Sequence, residues 1–62
     1  MDYLEAILQK LIGQKAIETK DLMVYLSNPV AIGEHSDIGE EVEKKVSNID
    51  QINSKIETIQ EL

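Results

Sequence analysis

The chain has no cysteine, no tryptophan, no phenylalanine and, since all six of its basic residues are lysine, no arginine. Without cysteine there is no disulfide, no thiol chemistry and no cysteine-held metal. Tyr3 and Tyr25 are the only aromatic residues, so platforms for stacking bases are missing. Twelve acids against six lysines leave a net charge of -6. Phosphates are repelled by such a surface, and the Lys and Arg clusters that neutralise them are missing, so no nucleic-acid partner is expected. Anionic membrane surfaces are disfavoured for the same reason. No apolar run approaches the roughly 18 residues of a spanning helix. Met1-Asp2-Tyr3-Leu4-Glu5 lacks the positive start of a secretory signal. The expectation is a soluble, cytoplasmic protein with no membrane partner.

What is present is a short, apolar-rich chain. Sixty-two residues make one small domain, and a domain of that size buries only about 60% of its unfolded surface. At 42% hydrophobic, the chain is not a disordered polar tail. The charge is uneven. Residues 1–29 hold four acids and three lysines, a net of -1, and residues 30–62 hold eight acids and three lysines, a net of -5.

Hydrophobic period points to an all-α fold. Leu4, Ile7, Leu8, Leu11 and Ile12 mark one face of a helix. Asp2 and Glu5 have capping-box spacing at its start. Gly13 weakens the pattern, so this helix is expected to end near Gln14 or Lys15. Thr19 is a good N-cap for a second, short helix through Leu22, Met23, Tyr25 and Leu26. Pro29 stops it, because Asn28 before proline is pushed out of helical geometry. Residues 2–28 are thus predicted to form a short helical hairpin. Residues 29–36 form a linker, in which Val30-Ala31-Ile32 tucks onto the hairpin. Ser36 or Asp37 caps a long amphipathic helix over 37–61, and Asp37 with Glu40 repeats the box spacing.

The long helix carries a seven-residue repeat. Val42, Ile49 and Ile56 occupy a, and Ile38, Lys45, Ile52 and Ile59 occupy d. Only Lys45 breaks the seam, and Val46 beside it widens the stripe. Two short N-terminal helices would cover about half of this seam, leaving it bare from Ile49 onward. Each exposed isoleucine forgoes roughly 1.5–3 kcal/mol of burial. The predicted interface is therefore Ile38, Val42, Val46, Ile49, Ile52, Ile56 and Ile59, covered by further copies of the chain, dimer to tetramer, or by a larger protein. Isoleucine at both a and d shifts parallel coils towards trimers or higher states. The e and g positions hold too few charges to write a pairing code, so antiparallel packing stays open. A monomeric three-helix bundle is the plain alternative.

No catalytic constellation emerges. His35 is the single histidine, among Glu34, Asp37 and Glu41. Structural zinc wants four nitrogen or sulfur ligands, so a solvated loop histidine is the better reading. Glu40, Glu41 and Glu43 could suggest paired-carboxylate chemistry, but that needs a cleft, and a helical face has none. Gly33 and Gly39 lack the strand and the Gly-Lys-Ser/Thr of a phosphate loop. A DNA-reading helix–turn–helix would have Lys20 as its one base, with Asp21 beside it. No metal, cofactor or enzymatic activity is expected.

The stretch Tyr25-Leu26-Ser27-Asn28-Pro29-Val30-Ala31-Ile32-Gly33-Glu34-His35-Ser36-Asp37 resembles short open reading frames of tailed marine phages that infect cyanobacteria. The resemblance implies a phage accessory or virion component and assigns no functional residue. The expected function is a non-enzymatic oligomerisation or adaptor protein. The alternative is a regulatory inhibitor whose acidic helix docks on a larger host or phage protein.

Overall fold

The computed structural model describes residues 2–27 and 37–62. The predicted linker and its tucked Val30-Ala31-Ile32, together with His35 and the Ser36 cap, lie outside the described residues. Two 24-residue helices make up nearly all of the rest: α1, Tyr3–Leu26, and α2, Ile38–Glu61. Each spans about 36 Å at 1.5 Å per residue. They pack side by side and antiparallel. Asp21 meets Lys45 and Glu18 meets Asn48, while Ile7 and Ile59 line one groove near the other end.

The break expected between Gln14 and Thr19 does not occur. Residues 3–26 form one helix that runs through Gly13, so the predicted helical hairpin within 2–28 is corrected to a single element. A mid-helix glycine costs only about 1 kcal/mol relative to alanine. Gly13 has no left-handed backbone, and a Cβ there would meet nothing within 4 Å. The chain thus has no steric need for a turn at this point. Proline, the strong breaker, comes only at position 29. A hairpin does form, but between α1 and α2.

The helix ends follow the sequence in part. The Asp2 carboxylate accepts a hydrogen bond from the Glu5 amide at 2.8 Å, satisfying one orphan donor of α1. At the other end the Ser27 amide donates to the Met23 carbonyl at 3.0 Å, and its hydroxyl donates to the Val24 carbonyl. Asp37 occupies the N-cap position of α2 but its side chain makes no capping bond, so the second expected box does not form. Its carbonyl instead accepts from the Glu41 amide at 3.0 Å.

The core is thin. Leu11, at 6% exposed, is the one hydrophobic side chain that is buried among the described residues. The facing stripe of α1 runs through Leu8, Leu11, Glu18, Leu22 and Tyr25, all at least half-buried. On α2 it runs through Ile38, Val42, Lys45, Ile49, Ile52, Ile56 and Ile59, all half-buried. The molecule measures 46 × 15 × 12 Å. Twelve ångströms is the diameter of one helix with its side chains. The hairpin is therefore a single layer, whereas stable domains pack at least two.

Candidate interaction surface

The seam of the hairpin is apolar at its ends and polar in its middle. Seven-residue spacing from Leu4 and Leu11 brings Glu18 to the interhelical face, and the next turn brings Asp21. The same count on α2 brings Lys45 opposite them. The Lys45 ammonium lies 3.4 Å from Glu18 Oε2 and 3.4 Å from Asp21 Oδ2. Asn48 Nδ2 donates to Glu18 Oε2 at 3.2 Å. Lys45 and Glu18 are largely shielded, whereas Asp21 is about half open to solvent. Partial burial opposes the charged ammonium. Hydrogen bonds to Asp21 and Glu18, with coulombic attraction to both, outweigh it and hold the Lys45 pKa above the ordinary lysine value. In the antiparallel hairpin the polar set pairs opposite charges, with Asp21 and Glu18 facing Lys45.

The two edges of the hairpin differ. Along one edge a groove is lined by Gln14, Ile17 and Glu18 of α1 and by Asn48, Gln51, Ile52 and Lys55 of α2. It continues towards the helix ends past Lys10, Ile7 and Leu4, facing Ser54, Thr58 and Ile59. This edge is mixed, with two lysines and several amides and hydroxyls. A helix turns 100° per residue, so the residues half a turn away face the opposite side. From α1 these are Glu5, Leu8, Ile12, Lys15, Thr19, Met23 and Leu26. From α2 they are Val42, Val46, Ile49, Asn53 and Gln60. That second face mixes apolar with polar side chains, and much of it is open, with Ile12 46%, Met23 56% and Val46 52% exposed, much as Leu4, Ile7 and Ile17 are on the grooved edge.

The predicted interface residues are placed as follows. Ile38, Val42, Ile49, Ile52, Ile56 and Ile59 lie half-buried on the face of α2 that meets α1. The seam is not bare from Ile49 onward, because the undivided α1 runs alongside all of it. Coverage is incomplete all the same, and no residue of α2 is fully buried. Val46 lies outside the seam on the open face. The sequence reading missed the α1 partners, Glu18, Asp21, Leu22 and Tyr25. Their signal was there: Leu4, Leu11, Glu18 and Tyr25 recur every seven residues, with acids where α2 has its lysine.

The sites weighed for chemistry gain no geometry. Glu40, Glu41 and Glu43 are exposed on the first turns of α2. No group of three or more potential metal-binding side chains occurs among the described residues. Continuous α1 has no turn before Thr19, so the two-helix unit of a DNA-reading motif is not formed there. No described helix is long and apolar enough to cross a membrane. Comparison with known proteins found no family model, no curated protein and no solved structure that matches this chain.

Proposed function

We propose that the chain is a non-enzymatic helical assembly module, which builds or joins a larger helical bundle through the apolar surface its single layer leaves open. The observation that carries this reading is that, among the described residues, one hydrophobic side chain is buried against a row of half-exposed Ile, Val, Leu and Met side chains. Burying that row stabilises the assembly and the hairpin together, since the isolated layer has little core of its own. The likeness to short phage reading frames would make it an accessory or virion component of such a particle. The test is thermal melting followed by helix circular dichroism across a hundredfold range of concentration. If assembly stabilises the fold, the midpoint climbs with concentration. A midpoint independent of concentration would count against it.

A second reading draws on the outward side of α2. Glu43, Asp50 and Glu57 recur there every seven residues, with Glu40 and Glu61 close by, and all are exposed. An acidic ridge of this kind suits docking on a basic surface of a larger protein, as an adaptor or inhibitor would. A chain that stays monomeric and fully helical when pure would favour this reading over the first.

A further inference from the structure

We infer that the grooved edge of the hairpin is the seat of an acidic amphipathic helix from another protein, which lays its apolar side between α1 and α2 and its carboxylates against Lys10 and Lys55. This rests on the assembly reading above, in the form in which the chain joins a larger bundle, and names the surface and the chemistry of the partner.

Shape gives the kind of occupant. The two stretches of the groove share Gln14 and Lys55, so they form one channel that runs from Leu4 to Glu18 along α1. At 1.5 Å per residue that is about 21 Å, or about four turns of a helix. Both walls supply apolar side chains. Leu4, Ile7 and Ile17 of α1 are 42%, 42% and 63% exposed, and Ile52 and Ile59 of α2 are half-buried. A straight trough with apolar walls suits a third, amphipathic helix. Such a helix also adds the second layer that the hairpin lacks.

Charge separates this edge from the rest of the surface. In a chain of net charge -6, the charged residues lining the groove are Lys10, Lys55 and Glu18. Glu18 is already engaged by Lys45 and Asn48. Lys10 and Lys55 make no ion pair among the described residues. Neither has an acid three or four residues away on its helix. Other lysines come with acids. Lys44 has Glu40 and Glu41 one turn before it, and the second face holds Glu5 together with Lys15. Lys20 stands half a turn from Leu11 and so faces away from the seam. The two edges are alike in apolar content, and it is the lysines that set the grooved one apart.

The occupant must therefore bring an apolar stripe with acids on both flanks, because Lys10 and Lys55 stand on opposite walls. A second copy carries its acids on the outward side of α2, where Glu43, Asp50 and Glu57 share their face with Ser47 and Ser54. It brings the charge without the stripe. An acidic amphipathic helix of a different protein brings both. Self-association through apolar residues outside the groove does not compete with it.

The test uses the full chain and defined peptides. The acidic probe is a labelled helix of about four turns, with leucine at three- and four-residue spacing and glutamate on both flanks. A basic probe has lysine for each glutamate, and a polar probe has serine for each leucine. Fluorescence anisotropy should show the acidic probe bound about tenfold or more tightly than either of the others. Lys10→Glu with Lys55→Glu should reverse the order of the acidic and basic probes. Both lysines are exposed, so helix content stays at the parent value in the expected case. Salt gives the same check on the parent chain, where the acidic probe should weaken several-fold between about 0.05 and 0.5 M. The absence of native cysteine allows a footprint: the acidic probe should slow maleimide reaction at Gln51→Cys, in the groove, about tenfold and at Val46→Cys, on the other edge, by about twofold or less. Equal binding of the acidic and basic probes, no binding, or shielding of Val46→Cys in place of Gln51→Cys overturns the inference. Shielding of Gln51→Cys in the concentrated pure chain gives the groove to a second copy and also overturns it. The assembly reading is judged separately, by the melting midpoint of the pure chain with no probe present.

Discussion

At the scale of single residues, Lys45 is the polar point of the α2 seam, and Glu18 and Asp21 of α1 meet it. In the sequence it is the one polar interruption of an isoleucine seam, visible but without a reason. The reason is on the other helix, where Glu18 and Asp21 take up the ammonium. Lys45→Ile should therefore lower the melting midpoint, because it leaves two carboxylates against an apolar turn. Adding Glu18→Leu should recover most of the loss, since a packed apolar pair often replaces a shielded ion pair without penalty. Thermal melts of the single and double variants check this; an equal or higher midpoint for Lys45→Ile alone would contradict it. The pair also sets an alkaline limit. The folded pKa of Lys45 lies above its unfolded value, so its contribution is complete below about pH 10.4 and is lost as pH rises through the folded value. The stability difference between the parent chain and Lys45→Met should accordingly shrink across that window and hold steady from pH 6 to 9. Denaturant titrations at a series of pH values measure it.

At the scale of elements, the two helices were legible to different degrees. α2 was visible over its whole length, because isoleucine and valine at three- and four-residue spacing leave no other period. The N-terminal half of α1 was equally plain. Its C-terminal half reads in the sequence as a separate helix, since Gly13 and Thr19 carry the local marks of a stop and a start. Those marks amount to about 1 kcal/mol each, and a neighbouring helix that aligns the whole segment outweighs them. The same point yields two tests. Gly13→Ala should stabilise the protein by about 1 kcal/mol, as nothing within 4 Å opposes the new methyl group. Ala16→Pro would be harmless in a link but should destabilise a continuous helix by about 3 kcal/mol or more. Chemical denaturation of both variants separates the two descriptions of α1.

At the scale of the whole molecule, apolar content and burial part company. Forty-two per cent hydrophobic residues suit a compact domain, yet only Leu11 is buried among those described. The isoleucine repeat leads to the expectation of a covering partner, and α1 runs along that seam and leaves its residues half-buried. The location of the open face was not readable. It depends on which side of α2 the partner helix occupies, and that is a property of two helices packed together rather than of either pattern alone. The grooved edge, the acidic ridge and the second face then divide the surface into regions with different chemistry. The proposed assembly has a second chain complete this single layer. Sedimentation equilibrium of the pure protein, with helix content recorded on the same samples, tests it most directly. The expected result is a helical species of a whole multiple of the 7.0 kDa chain mass, losing both mass and helix on dilution. A fully helical 7.0 kDa species at all concentrations would contradict it.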